Sequence, residues 1–210
     1  MKNLYFFVAH IDDFEISCIG YLFKKKQDYK KIIIIIATEW EPKNQIWKDN
    51  LSAIASHLNV EIEYINLRSE QRSLMGNFDS VKDSFYKKID FNNRFDMVTH
   101  DSEDCHTDHI ACSMIASGLY KYADKYITIY SPSSKNFKAN YWIGMPKDIY
   151  KLKKQCVDKY NIQNEQSYTK LGYYMQSEEH YNIGKCYYLE NFVYQEYEHY
   201  ETYRVMKNLE

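Results

Sequence analysis

The chain has 210 residues, and one α/β domain of that length can bury a large core without disulfides. Its 27 Lys and Arg residues nearly balance 29 Asp and Glu residues, and the formal charge of -2 disfavours nucleic acid and anionic membranes as partners. The five cysteines are odd in number and never spaced CxxC, which argues against a disulfide framework and fits a reducing cytoplasm. The N-terminal apolar run is too short for a signal peptide or a membrane span. We therefore predict one cytoplasmic domain over residues 1–210.

The first part of the chain places an amphipathic segment between two apolar runs. Residues 4–9 and 31–37 are continuous, β-branched or aromatic runs, which is typical of strands buried on both faces of a parallel sheet. The segment between them has apolar residues at helical spacing and ends in lysines 24–26, which suit a helix C-terminus. Together these segments predict a βαβ unit.

The same alternation continues along the chain. It predicts strands near residues 60–67, 95–100 and 126–131, and helices near residues 45–58, 80–90, 109–123 and 147–160. This pattern indicates an α/β fold of the Rossmann-like kind, a doubly wound, mostly parallel sheet flanked by helices. After about residue 165 the chain is rich in tyrosine, and residues 185–197 fit either a strand or the neighbour of a helix.

Two polar motifs follow predicted strands. His10-Ile11-Asp12-Asp13 comes directly after the first strand, and His106-Thr107-Asp108-His109 follows the strand at 95–100. Because open α/β sheets bind ligands at the carboxyl ends of their strands, we expect the two motifs to converge in one cleft. A catalytic zinc takes three protein ligands from His, Asp and Glu and keeps a fourth position open for water. One His and one Asp of the first motif and one His of the second meet that count, which leaves Asp12 and His106 for acid–base or electrostatic roles.

The residues around both motifs resemble the PIG-L/LmbE-like deacetylases. AHIDDFEISCIGYL is similar to the AHPDDE signature of that family, and THDSEDCHTDHIA is similar to its second signature, which ends in HPDH. The later stretch KKQCVDKYNIQ resembles the KxxAIxxHxSQ helix of the family. The resemblance spans roughly the first three quarters of the chain.

The resemblance implies a zinc-dependent hydrolase that removes acetyl from an N-acetylglucosamine-type sugar or sugar conjugate, a small-molecule substrate. It also implies that Asp12 is the base that activates water and that His106 is the electrostatic or acid partner at the acyl oxygen. Asp108 would not bind the metal itself but would orient the imidazole of a ligand. The zinc ligands that it implies are His10, Asp13 and His109.

The chain also departs from the family pattern. The proline of each signature is absent, and Phe14 stands where the first signature ends in Glu, with Glu15 one place later. Where the family has an Arg and a Glu on the next helix, this chain has Trp47 and Asn50. Because these positions concern substrate contacts, two alternatives stay open. One is a hydrolase of another N-acyl or O-acyl small molecule, and the other is a catalytically inactive module that retains the metal and binds a sugar.

Several of these residues also have purely structural interpretations. Asp12 and Asp13 can cap the following helix, although capping accounts for only one of them. The segment 106–109, taken alone, fits a polar helix cap with a partly buried His. His100 ends a predicted strand outside the matched pattern, and we expect it to be structural or to face the substrate. Trp40, in a loop after a strand, is the aromatic residue best suited to stack on a sugar.

Overall fold

A seven-stranded sheet forms the centre of the computed structural model. The structure describes residues 1–39, 44–70, 74–131, 133–134, 136–161 and 199–208. The strands are β1 (Lys2–Val8), β2 (Tyr29–Glu39), β3 (Ile62–Glu70), β4 (Phe95–His100), β5 (Lys125–Ile129), β6 (Tyr141–Met145) and β7 (His199–Asn208). The α-helices of the described residues are α1 (Asp13–Ser17), α2 (Ile19–Lys25), α3 (Asn44–Leu58), α4 (Phe78–Tyr86), α5 (Thr107–Ser117) and α6 (Lys147–Asn161).

The strands lie in the order β3-β2-β1-β4-β5-β7-β6. The first five are parallel, and β7 runs antiparallel to both β5 and β6. The chain builds outward from β1 to β3 and then returns to place β4 on the other side of β1. The strand order therefore reverses between β1 and β4, which is where open α/β sheets bind their ligands. The predicted mostly parallel, doubly wound sheet is confirmed, while the antiparallel pair at its edge was not predicted.

Strand β1 contributes to the cores on both faces of the sheet. Leu4, Phe6 and Val8 belong to the core that packs against α1, α2, α3 and α6. Tyr5 and Phe7 belong to the opposite core, which packs against α4 and α5. Successive side chains of a strand point to opposite faces, so a strand covered on both sides must be apolar throughout. The continuous apolar run in the sequence is therefore explained by helices on both faces.

The predicted helix after β1 is interrupted at Cys18, which separates α1 from α2. The carboxylate of Glu201, on β7, accepts hydrogen bonds from the backbone N–H groups of Gly20 at 2.8 Å and Tyr21 at 3.3 Å. These groups are free donors at the start of α2, and a carboxylate there satisfies them and suits the helix dipole. A Cβ at position 20 would lie 2.7 Å from Glu201 Oε2, so the contact requires glycine.

The end of the chain takes part in the sheet. Strand β7 lies between β5 and β6, and Tyr203 on it is fully buried. The expected strand at 185–197 lies outside the described residues, as does Trp40. Helix α5 ends at Ser117, earlier than the predicted residue 123. None of the helices in the described part of the chain combines the length and apolarity of a membrane-spanning helix.

Candidate metal and catalytic site

The two polar motifs meet at the carboxyl ends of β1 and β4. His10 Nδ1 lies 3.2 Å from Asp13 Oδ2, and His109 Nε2 lies 3.3 Å from Asp13 Oδ1. The two imidazole nitrogens are 3.3 Å apart. Around a tetrahedral zinc with bonds of about 2.0–2.1 Å to N and O ligands, neighbouring ligand atoms are separated by about 3.3 Å. Each imidazole faces its own oxygen of the Asp13 carboxylate, so the three side chains converge on one position at separations in the range of zinc ligand atoms.

A second layer of carboxylates orients both imidazoles. Asp108 Oδ2 lies 3.2 Å from His10 Nε2, and Asp104 Oδ2 lies 3.0 Å from His109 Nδ1. An ionised carboxylate only accepts hydrogen bonds, so these outer nitrogens carry N–H groups, and in the neutral rings the inner nitrogens present lone pairs to Asp13. Two lone pairs and a carboxylate that face one another repel unless a cation lies between them. The donor set thus fits a metal ion.

The charges of the site agree with a cation position. Burial alone would lower the pKa of His10, but Asp13 and Asp108 outweigh it and raise that pKa to about 10. Burial also opposes protonation of His109, yet Asp13 and Asp104 raise its pKa to about 9. Burial would raise the pKa of Asp13, but the imidazoles around it keep that pKa well below the ordinary value. Protons and a metal ion would compete for the same inner nitrogens.

Asp12 lies beside the three candidate ligands at the start of α1. It occupies the N-cap position, but its side chain makes no capping hydrogen bond. Asp13 instead uses Oδ2 to accept the backbone N–H of His10 at 2.7 Å. Potential ligand atoms of His10, Asp12 and Asp13 lie within 4.8 Å of one another. The simple capping interpretation of Asp12 is therefore not realised.

His106 both caps α5 and borders the cluster. Its Nδ1 accepts the backbone N–H of Asp108 at 3.3 Å, so the proton of the neutral ring is on Nε2. Burial, and then the neighbouring His109 and His10, lower the pKa of His106. Its ring centroid is 4.7 Å from that of His10 and 4.6 Å from that of His109. His106 is thus a neutral hydrogen-bond donor at the edge of the candidate metal position.

Asp104 was not identified from the sequence. The backbone N–H of His106 donates to its Oδ1 at 2.8 Å. The hydroxyl groups that donate to the Asp104 carboxylate come from Ser131, Ser133 and Ser134. Ser133 Oγ is also 3.4 Å from Nδ1 of His109, the nitrogen that Asp104 holds. A nucleophilic triad needs the serine and the carboxylate on opposite nitrogens, so these residues support the imidazole instead. The sequence signal was an Asp two residues before His106.

His100 also belongs to the cluster, although it lies outside both motifs. It is fully buried, and its Nε2 lies 3.3 Å from Asp13 Oδ2. Its ring stacks on that of His109 with a centroid distance of 3.9 Å and an interplanar angle of 13°. Burial, followed by the neighbouring His109, lowers the pKa of His100 to about 4. His100 is therefore a neutral, structural neighbour of the candidate ligands rather than a remote residue.

Two of the positions that depart from the family pattern, Trp47 and Asn50, are buried on α3, and Asn50 belongs to a hydrogen-bonded network. Asn50 Nδ2 donates to Glu15 Oε1 at 3.2 Å and to the carbonyl of Cys156 at 3.1 Å. The hydroxyl of Tyr160 donates to Glu15 Oε1 at 2.8 Å. Burial raises the pKa of Glu15 to about 8. Trp47 is buried as well, with its ring against that of Tyr64. Asn50 and Glu15 therefore join α1, α3 and α6.

The chain is similar in structure to several proteins of known fold. No protein-family model matches it, and no curated protein sequence matches it. A conserved protein from Thermus thermophilus aligns with a TM-score of 0.68 at 15% identity, over 97% of this chain and 94% of that one. N,N'-diacetylchitobiose deacetylase from Pyrococcus horikoshii aligns with a TM-score of 0.64 at 15% identity, over 98% and 84%.

Two further solved structures extend the range of activities on this fold. The zinc-inhibited form of teicoplanin deacetylase Orf2 aligns with a TM-score of 0.62 at 14% identity, over 97% of each chain. The 4-carboxy-2-hydroxymuconate hydratase GalB from Pseudomonas putida aligns with a TM-score of 0.62 at 13% identity, over 98% of this chain and 96% of that one. Identities this low show a shared fold and leave the activity open. The chain thus has the α/β fold of a group of solved structures that includes deacetylases of sugar conjugates and a hydratase.

Proposed function

We propose that this protein is a zinc-dependent hydrolase that removes an N-acetyl group from an N-acetylglucosamine-type sugar or sugar conjugate. The observation that carries the proposal is the convergence of His10, Asp13 and His109, whose facing atoms are 3.2 to 3.3 Å apart. Carboxylates behind both imidazoles supply the orientation that metal-bound histidines usually have. The fold, shared with deacetylases, supports the same assignment.

The residues around this set provide the remaining chemistry of amide hydrolysis. Zinc held by His10, Asp13 and His109 would polarise the acyl oxygen and lower the pKa of water. Asp12 accepts the proton of the attacking water and later returns it to the departing amine. His106 donates its Nε2–H to the acyl oxygen as negative charge develops there. The products are acetate and a free amine.

The fold gives the least support for the identity of the acceptor, which is the part of the substrate that carries the acetyl group. Asn50 and Trp47 stand where the resembling family has Glu and Arg, and both are buried in this protein. They cannot make the polar contacts that exposed charged side chains would make with a sugar. This observation favours a changed acceptor and keeps another N-acyl or O-acyl substrate as the second candidate.

Acetate release from a panel of substrates tests the proposal. The protein would be stripped with a chelator, reloaded with zinc, and assayed on N-acetylglucosamine, N,N'-diacetylchitobiose, nucleotide-linked N-acetyl sugars, acyl amines and O-acetyl sugars. We expect zinc-dependent acetate release from an N-acetyl sugar, with loss of turnover in Asp12→Asn. Release only from O-acetyl sugars would identify an esterase. Sugar binding without turnover at any metal loading would identify an inactive binding module.

A further inference from the structure

His100 links the two ligand motifs although it belongs to neither. It is the last residue of β4, and the strand reaches it in regular register, with Thr99 opposite Phe7 of β1 and His100 opposite Ile129 of β5. Its side chain is fully buried at the reversal of strand order. From there it contacts Ala9, next to the first motif, Asp13, in that motif, and His109, in the second.

The contact with Ala9 determines whether Nε2 of His100 has a free lone pair. The N–H of Ala9 donates to His100 Nε2 at 3.1 Å, while the carbonyl of Ala9 accepts from the N–H of Thr38 at 3.0 Å and from its hydroxyl at 2.8 Å. The residue before His10 is therefore held from β2 and from β4. Since an imidazole nitrogen has one lone pair in the ring plane, Nε2 of His100 is already occupied by Ala9. His100 is thus better suited to support ligands than to act as one.

The contact with His109 restricts the orientation of a candidate ligand. The rings of His100 and His109 are nearly parallel, 13° apart, at a centroid distance of 3.9 Å. On its other face, His109 stacks on His106 at 4.6 Å and 27°. His109 is therefore enclosed between two imidazoles and cannot turn without displacing one of them. An imidazole bound to a cation is electron-poor, so the face of a neutral ring such as that of His100 also attracts it.

The remaining nitrogen of His100, Nδ1, does not contribute to stability. Because Nε2 accepts a hydrogen bond, the neutral ring carries its proton on Nδ1. That buried N–H has no hydrogen-bond partner among the residues that the structure describes. An unpaired buried donor costs folding free energy. A histidine that brings such a cost to the fold is better explained by its effect on the site.

We propose that His100 is a positioning residue of the metal site, whose ring holds His109 with Nε2 directed at Asp13. Metal affinity depends on the stacked ring, whereas the bond to Ala9 contributes mainly to stability, since Thr38 also holds Ala9. The inference rests on the proposed function because it concerns the same metal, but it is independent of the substrate.

Metal titration of the full chain, freed of metal by a chelator, tests the inference. His100→Phe keeps a flat ring against His109 but removes the nitrogen that accepts from Ala9 and lies near Asp13. His100→Gln keeps a polar acceptor and removes the ring. His57→Gln, at a half-exposed surface histidine, is the matched control. Zinc affinity would be measured by competition with a chromophoric chelator, and ligand geometry by the visible absorption of the Co²⁺ form. Thermal melting without metal would show that each variant folds.

We expect His100→Gln to weaken zinc binding by about 10–100-fold and to change the Co²⁺ spectrum. His100→Phe should stay within about threefold of the wild type and keep its spectrum, even if it melts at a lower temperature. Unchanged affinity and spectrum in His100→Gln would overturn the inference. Loss of metal in His100→Phe as complete as in His109→Ala would also overturn it, by making His100 a ligand.

Two further results separate this inference from the proposed function. If His100→Gln does not fold, His100→Asn provides the same comparison with a shorter amide. Wild-type protein that binds neither metal would overturn the proposed function together with the inference. Metal binding that is equal in the wild type and in both variants would overturn the inference alone.

Discussion

Asp104 and Asp13 lie on opposite sides of the His109 ring. Asp104 Oδ2 is 3.0 Å from Nδ1, and Asp13 Oδ1 is 3.3 Å from Nε2. The first carboxylate is satisfied by serine hydroxyl groups and a backbone N–H, while the second faces the imidazoles of the candidate metal position. One carboxylate therefore sets the tautomer of His109, and the other is left to bind a cation with it.

We expect Asp104→Asn to weaken zinc binding by about 10–100-fold without abolishing it. The amide retains an acceptor for the His109 N–H but loses the negative charge that makes Nε2 a better ligand. Zinc affinity by chelator competition is the measurement. Glu103→Gln removes the adjacent carboxylate, which is half-exposed, and should leave affinity unchanged. Equal affinities for Asp104→Asn and the wild type would show that Asp104 does not act on the metal.

The adjacent aspartates should respond differently to substitution. Asp12→Asn keeps the size of the side chain but removes its ability to take a proton, so metal should remain while turnover falls by roughly two to four orders of magnitude. Asp13→Ala removes an anionic ligand, so metal content itself should fall. Elemental analysis and acetate release distinguish these effects. An empty site in Asp12→Asn with a loaded site in Asp13→Ala would reverse the two roles.

The stability of the metal-free protein should fall as pH rises. The pKa values of His10 and His109 are raised from 6.5 to about 10 and about 9, so the folded chain holds protons that the unfolded chain releases. Their stabilising contribution is complete below about pH 6.5 and is lost as pH rises through 9 to 10. The free energy of unfolding would be measured by chemical denaturation across that range. The difference between the wild type and the double variant His10→Gln/His109→Gln isolates the contribution of the two histidines. A difference between the two proteins that did not change with pH would contradict it.

Zinc binding should depend on pH in the opposite sense, because the metal displaces protons from the same two histidines. We therefore expect zinc affinity to increase with pH until both histidines lose their protons, at about pH 9 to about pH 10, with release of protons into a weakly buffered solution. Isothermal titration calorimetry in buffers of different ionisation enthalpy measures the number released. Zinc binding without proton release would show that the metal binds elsewhere.

Glu15→Gln should stabilise the fold at neutral pH by about 1–3 kcal/mol. The pKa of Glu15 is raised from 4.5 to about 8, mainly by burial, so its contribution to stability falls as pH rises from 4.5 to about 8. A Gln keeps Oε1 as the acceptor for Tyr160 and Asn50 and removes the need to protonate a buried carboxylate. The measurement is the free energy of unfolding of Glu15→Gln and of the wild type, from denaturant unfolding near pH 7.5 and pH 4.5.

The control for this network is Tyr160→Phe, which removes the hydroxyl that donates to Glu15 and should destabilise the protein. Zinc content should stay unchanged in both variants, because the hydrogen bonds that the substitutions alter join Glu15, Tyr160, Asn50 and the carbonyl of Ile11, not the side chains of the three candidate ligands. A Glu15→Gln protein that is less stable than the wild type at both pH values would show that the ionised carboxylate stabilises the network.

The amino-acid sequence was sufficient to predict the centre of the sheet and the meeting of the two motifs. Apart from Lys31, residues 4–9 and 31–37 are apolar because helices cover both faces of β1 and β2. The carboxyl ends of parallel strands share one edge, so polar motifs that follow β1 and β4 necessarily approach each other. These conclusions depend on local patterns and on the direction of neighbouring strands.

Contacts between distant parts of the chain decided the rest. The break between α1 and α2 depends on Glu201, a residue 181 positions after Gly20. Asp104 is held by Ser131, 27 positions away, and His100 is stacked on His109 only because β4 and α5 turn back to the same edge. A buried carboxylate or imidazole is tolerated only beside a hydrogen-bond or charge partner. Such partners are distant in the sequence, so no periodic pattern predicts the pairs. The sequence shows which residue types are available to the site, whereas the orientation of their side chains is a property of the folded chain.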